Sequence, residues 1–240
     1  MRCKTNKKIL YCMGLTLKSV GLDYIYSLEN EDPQLISLRE LAAKLENGVF
    51  YDVSLLAALV AYRLRGTGEL YWSDLAKTHE FTPSSPFDIV ENFLVSRREL
   101  AIRGKLARLE KLRKANFSVM ENFVEYKNDP KKLYDRISGA LNGGGEKTLS
   151  FAIKIFYYSV LAKENQRIAL PYSIPIPVDS RVIKVSQAIG LINAECSEQN
   201  KISEAWNLIS RISNIQPLHI DSYIWLKLYK VMHQGATIKS

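Results

Sequence analysis

The chain has few of the residues that bind metals or staple small domains. Its 240 residues include only three cysteines, Cys3, Cys12 and Cys196, and three histidines. The cysteines have no metal-ligand spacing and cannot all pair, so a reducing interior is the simpler expectation, with Cys196 inert. No apolar run approaches the length of a membrane span, even where Ser54 to Tyr62 is almost uninterrupted, so no membrane partner is expected. Strand-like alternation, internal repeats and low-complexity tracts are also missing, which leaves an all-α class. Arg2, Lys4, Lys7 and Lys8 ahead of Ile9–Leu15 faintly resemble a short signal peptide. No small-residue cleavage site follows, and the apolar stretch runs into Lys18, so a cleaved signal is not expected.

Positive charge, by contrast, is abundant. Lysine and arginine number 33 against 25 acids, a net charge of +8 with a pI near 9.3, which fits an anionic partner such as nucleic acid. Apolar residues make up 47% of the chain, enough for one substantial domain or two lobes sharing a core.

Apolar spacing predicts helix after helix. Residues 4–30 carry Ile9, Met13, Leu17, Val20 and Tyr24 at helical intervals, and Asp32-Pro33 ends that pattern. A second segment spans Gln34 to Leu45, and a third, strongly apolar, spans Tyr51 to Leu64. A short helix is expected to start near Asp74, and Thr82-Pro83-Ser84-Ser85-Pro86 reads as a turn opening Phe87 to Ser96. Residues 97–114 hold Arg97, Arg98, Arg103, Lys105, Arg108, Lys111, Arg113 and Lys114, with Leu100, Leu106, Leu109 and Leu112 turned inward. Such a face is solvated and can still meet phosphates. Helices at Phe117–Tyr126 and Lys131–Leu141 follow, and then Lys147–Ala162. Arg167 to Pro177 is a proline-stiffened strap, and the last helices run at Arg181–Ile192, Ile202–Ile212 and Asp221–His233.

Two stretches carry candidate chemistry. Asn142-Gly143-Gly144-Gly145-Glu146 separates two helices and marks a tight hairpin, because glycine alone adopts such backbone angles cheaply. Lys147 then falls in the first helical turn, where the unpaired N–H groups repel a cation; with partial burial this favours the neutral, nucleophilic amine. The bland alternative is a solvated surface lysine. Asp179, in Pro175-Ile176-Pro177-Val178-Asp179-Ser180-Arg181-Val182, sits where an N-cap carboxylate belongs.

The glycine-hairpin lysine, followed 32 residues later (179 − 147) by this aspartate, resembles the helix-hairpin-helix DNA glycosylase superfamily. More narrowly, the chain is similar to the archaeal 8-oxoguanine DNA glycosylase/AP lyase family. The similarity rests on Asp32-Pro33-Gln34, Tyr62-Arg63-Leu64, Gly66, Gly68-Glu69, Trp72, Lys147-Thr148-Leu149, Phe151, Ile174 to Asp179, Arg181-Val182, Pro217-Leu218-His219, Asp221 and Trp225. The resemblance implies two helical lobes with an active-site cleft between them, lobe one near 1–70 plus 185–240 and lobe two near 71–184. It implies a monomeric cytoplasmic enzyme acting on DNA that contains 8-oxoguanine. The flipped base would lie among Gln34, Trp72, Phe151, Asp221 and Trp225, although either tryptophan alone would read as core. Lys147 would attack the sugar and Asp179 would stabilise positive charge on it, while Gly143, Gly144 and Gly145 would hold a DNA phosphate. His219 is read as a packing residue. Other branches of the superfamily carry an iron–sulfur cluster; three scattered cysteines cannot supply four ligands, so neither metal nor cofactor is expected. Two other readings compete: a non-enzymatic nucleic-acid-binding module, and a glycosylase for a different damaged base.

Overall fold

The computed structural model describes residues 3–78 and 85–232. Residues 82–84 of the expected turn over Thr82 to Pro86, and His79 and His233, lie outside them. In chain order the helices are α1 (Lys7–Val20), α2 (Leu22–Asn30), α3 (Pro33–Ala42), α4 (Asn47–Leu59), α5 (Gly68–Lys77), α6 (Pro86–Ser96) and α7 (Ile102–Lys114). A 3₁₀ turn (Met120–Asn122) leads into α8 (Phe123–Asn128), α9 (Pro130–Leu141) and α10 (Glu146–Glu164). Then come α11 (Ser180–Ala188), α12 (Gln199–Ser213), α13 (Pro217–Tyr223) and a π-helical turn (Ile224–Leu228). Among the described residues the only strand-like pairing is an isolated bridge between Thr5 and Ile192, and the class is all-α.

The chain forms two compact units, Met1–Asp32 with Pro171–Ser240, and Pro33–Leu170. Their seams fall at 32/33 and 170/171, not near the expected 70/71 and 184/185. The reason is packing: α3 lies on α5 and α10, and α4 lies on α10 and α6, which takes residues 33–59 into the second unit. Ile176, Val178 and Val182 are core residues of the first unit.

In the first unit α1 packs lengthwise on α12, and Gly14 permits the approach: a Cβ there would lie 2.5 Å from Ile212 Cγ2. The expected single helix over 4–30 is two helices, because Gly21 turns the chain with φ +78°. Trp206, on α12, donates its indole N–H to Ser186 Oγ at 2.8 Å inside this core. Cys196, expected to be inert in a reducing interior, is instead bonded. Cys3 and Cys196 form a disulfide, beside hydrogen bonds from Asn6 N–H to Leu191 O and from Asn193 N–H to Lys4 O. A separation of 193 residues in sequence hid this pair, and Cys12 alone is free.

In the second unit α4 and α10 run through the core, with Phe50, Val53, Leu56, Ile153, Phe156 and Tyr157 almost wholly buried. α5 begins at Gly68, six residues before the expected Asp74, because Thr67 Oγ1 accepts from the Leu70 N–H as its N-cap. The basic segment also differs from expectation. Arg98 and Ala101 are left-handed, so the helix starts only at Ile102, and Leu100 is exposed rather than inward. Lys105 is buried against Glu99, Arg97 pairs with Glu99 and Asp74, and Arg113 pairs with Asp88, Glu91 and Glu110. The continuous basic face is broken up, with Arg98, Arg103 and Lys111 exposed, because Asp74 of α5, Asp88 and Glu91 of α6, Glu99 in the loop between α6 and α7, and Glu110 of α7 pair with Arg97, Lys105, Arg113 and Lys114, while Arg108 donates to Leu59 O.

Candidate active site

The second unit carries Lys147, Gln34, Trp72, Phe151 and the glycine turn. α9 ends at Asn142, left-handed with φ 54°, and Gly143, Gly144 and Gly145 follow with φ of 108°, 67° and 86°. The Gly143 N–H closes α9 by donating to Ser138 O at 2.8 Å, and Gly145 is the N-cap of α10. Gly144 lies between Leu141 and Leu149, and a Cβ on it would meet Leu141 Cδ1 at 3.1 Å and Leu149 Cδ2 at 3.3 Å. The two leucines crowd a side chain at Gly144, whereas at Gly143 and Gly145, where a Cβ would meet nothing, the positive φ alone favours glycine. Lys147 stands in the first turn of α10 as expected, but its side chain is exposed rather than partly buried.

Phe151 follows Lys147 by one helical turn and shares its face of α10. Its ring centroid is 6.5 Å from that of Trp72, with the planes at 52°. Trp72 is 2% exposed, on α5, and Tyr71 packs edge-on against it while donating its hydroxyl to Ala57 O. Gln34, on the neighbouring α3, is buried, with its Nε2 3.9 Å from where a Cβ of Gly68 would lie. α3, α5 and α10 therefore gather Gln34, Trp72, Lys147 and Phe151 in one unit.

The start of α5 is held by a buried ionic cluster that sequence reasoning missed. Glu99 accepts from Lys105 Nζ at 2.7 Å and Arg97 Nε at 2.6 Å, and from the Arg65 N–H. Arg97 also donates to Arg65 O at 2.5 Å. Burial alone would raise the Glu99 carboxyl, but the hydrogen bonds from Lys105 and Arg97, the Lys105 charge and the Arg65 N–H together hold it below the ordinary carboxylate range. Paired in this way, Glu99 fixes the loop from which Trp72 is delivered.

The first unit carries Asp179, Asp221 and Trp225. Asp179 is the N-cap of α11, its Oδ1 accepting from the N–H groups of Arg181 at 2.8 Å and Val182 at 2.9 Å. Oδ2 takes no part in the cap. Asp221 is 9% exposed on α13, which starts at Pro217, four residues ahead of expectation. Trp225 is half-buried in the π-helical turn, a geometry often found at functional sites. The Arg181 guanidinium carbon lies over its ring, 3.8 Å from the centroid. His219 is buried, as expected of a packing residue: its Nδ1 is 2.7 Å from Glu29 Oε1, which also accepts from Ser222 Oγ at 3.1 Å. Glu29 was missed as an anchor of α13, though its place one turn after buried Ile25 marks an inward-facing acid. Among the described residues no group of three or more histidines, cysteines or acids could hold a metal ion.

A family model described as AGOG, N-glycosylase/DNA lyase, matches residues 14–239. The chain belongs to this family. Its curated relatives include the N-glycosylase/DNA lyase of Pyrobaculum aerophilum, 30% identical over 88% of this chain and 82% of the relative. That of Methanococcus maripaludis is 31% identical over 82% and 78%, and that of Aeropyrum pernix 32% identical over 82% and 74%. The fold is similar to a solved structure, the 8-oxoguanosine-complexed 8-oxoguanine DNA glycosylase from Pyrobaculum aerophilum, with a TM-score of 0.79 and 24% identity over 92% of this chain and 87% of that one. Membership makes the protein an enzyme, an N-glycosylase and DNA lyase, and sets aside the non-enzymatic binding module.

Proposed function

We propose that this N-glycosylase/DNA lyase excises 8-oxoguanine from DNA with Lys147 as nucleophile and Asp179 as the carboxylate that assists it. The observation that carries the reading is on α10, where Lys147 and Phe151 share a face and Phe151 meets Trp72. An amine and an aromatic pair on one face suit a nucleotide whose base has left the duplex. The 8-oxoguanosine complex of the similar solved structure supports 8-oxoguanine as the base.

In this reading the Lys147 amine attacks C1′, the C1′–N9 bond breaks, and the base leaves with a proton from that amine. Asp179 offsets positive charge developing on the sugar. The second amine proton passes to O4′ as the C1′–O4′ bond breaks and the ring opens to an imine. Loss of a C2′ proton expels the 3′ phosphate, and water hydrolyses the imine to free Lys147. Trp72, Phe151 and Trp225 supply the stacking that the flipped base lost, about 1–3 kcal/mol per base. Gln34 and Asp221 contact its polar edge. 8-Oxoguanine offers an N7–H donor where guanine presents a lone pair, so a buried acceptor facing N7 rejects the undamaged base. Gly143, Gly144 and Gly145 bring backbone N–H groups to a phosphate with no side chain intervening.

One chain carries every side chain this chemistry uses, and the enzyme acts as a monomer on cytoplasmic DNA. Intracellular bridges such as Cys3–Cys196 occur in proteins of heat-adapted archaea. Borohydride reduction of enzyme mixed with an 8-oxoguanine duplex tests the reading. A covalent adduct that disappears in Lys147→Gln is expected. Excision of a different damaged base in preference, or an adduct that persists in Lys147→Gln, would overturn the reading.

A further inference from the structure

We propose that Arg181 is a positioning residue that holds the Trp225 indole and leaves it a single face for the damaged base. This rests on the reading above, in which Trp225 stacks on that base. The Arg181 guanidinium carbon lies 3.8 Å from the Trp225 centroid and 5.4 Å from that of Tyr229, one turn further along. The shorter distance is van der Waals contact, so no purine fits between guanidinium and indole. The base must take the opposite face. A planar cation behind the ring draws π density towards itself and makes the far face less negative, easing the stacking of an electron-rich purine there. It also stiffens an aromatic carried on a π-helical turn, whose backbone is less regular than that of an α-helix.

The local sequence ties this clamp to the chemistry. Arg181 follows Asp179 by two residues and donates its backbone N–H to Asp179 Oδ1 at 2.8 Å. Its backbone thus completes the cap of the carboxylate that assists the reaction, while its side chain sets the ring that receives the base. One residue fixes the sugar-facing and base-facing groups of the first unit to each other. Replacing only the side chain leaves the N–H, and with it the cap, in place. Lysine keeps the charge but not the flat guanidinium face, so it restores the clamp only in part.

The two reactions of the enzyme provide the test. Base excision needs a stacked base, whereas β-elimination at a preformed abasic site has none to stack. Single-turnover rates are measured for Arg181→Met and Arg181→Lys on an 8-oxoguanine duplex and on the same duplex with an abasic site. Arg181→Met is expected to lower excision about ten-fold and abasic-site cleavage less than about two-fold, with Arg181→Lys in between. Equal losses on both substrates would overturn the proposal, since Arg181 would then act through the Asp179 cap or the fold. A split under about three-fold would overturn it as well. Should Arg181→Met not fold, Arg181→Lys carries the same comparison. Wild-type enzyme is assayed first: if it leaves 8-oxoguanine in place, the substrate reading fails on that result alone. The Arg181 comparison is then made on whichever base it does remove.

Discussion

We predict that Cys196→Ser lowers the stability of the first unit by about 3 kcal/mol, against a chain-entropy limit near 5 kcal/mol. The limit comes from the 193 residues separating Cys3 from Cys196, the longest closed loop two of the three cysteines can make. The first unit is built from two stretches, Met1–Asp32 and Pro171–Ser240, and the bridge joins them covalently, closing a loop of chain that includes residues 33–170. Reduced protein keeps the local hydrogen bonds, among them Lys4 N–H to Asn193 Oδ1 at 2.8 Å and Asn6 N–H to Leu191 O at 2.8 Å. The bridge therefore acts chiefly on the unfolded chain, and engineered and natural bridges commonly deliver about 2–4 kcal/mol of the theoretical gain. For a chain of this size 3 kcal/mol corresponds to a fall in Tm of about 6–12 °C. Melting curves of wild-type protein with and without dithiothreitol, and of Cys196→Ser, measure it. Thiol titration in guanidinium should find only Cys12 reactive before reduction. Three reactive thiols in unreduced protein, or a Cys196→Ser Tm equal to that of oxidised wild type, would refute the reasoning.

Other outcomes are expected from the same kind of argument. The Glu99 carboxyl is held below its ordinary range, so its contribution is fully present above the unfolded value of about pH 4.3 and is lost as pH falls through the lower folded value. Glu99→Gln strands the buried Lys105 ammonium and should cost about 3–5 kcal/mol at pH 7, with less further loss on acidification than wild type shows; parallel acid melts of the two proteins would contradict this. Gly14→Val forces α1 away from α12, because the 2.5 Å approach to Ile212 is to a core side chain, and should destabilise the first unit by about 2–3 kcal/mol in urea unfolding; an unchanged midpoint would count against the packing described. Ser186→Ala leaves the Trp206 indole N–H without its 2.8 Å acceptor and should cost about 1–3 kcal/mol, read from the same unfolding curves, where a neutral effect would show that the indole finds another partner.

Much of the site's local framework was legible in the sequence. A glycine run between two apolar periodicities permits little but a hairpin, because positive φ over three consecutive residues is costly for any side chain. Lys147 in the first turn after it, Phe151 one turn on, and Asp179 as an N-cap all follow from spacing and capping chemistry within a few residues. Helix starts were less legible where tertiary contacts override local signals. α5 opens at Gly68 rather than near Asp74: Thr67 caps it, and Glu99 and Arg97, some 30 residues ahead, hold the backbone just before it.

The sequence by itself determined an all-helical chain, the hairpin, that Phe151 shares the Lys147 face of α10, and that Asp179 caps α11. These are properties of 3.6-residue periodicity and of backbone angles, decided by neighbours in the chain. Only the tertiary structure decided which cysteines bond, that Lys105 is a buried counter-ion, and that Arg181 covers one face of Trp225. Each joins a charge, a thiol or a ring to a partner brought near by packing. The free energy of such a pairing depends on burial and distance, quantities that do not exist until the helices have met.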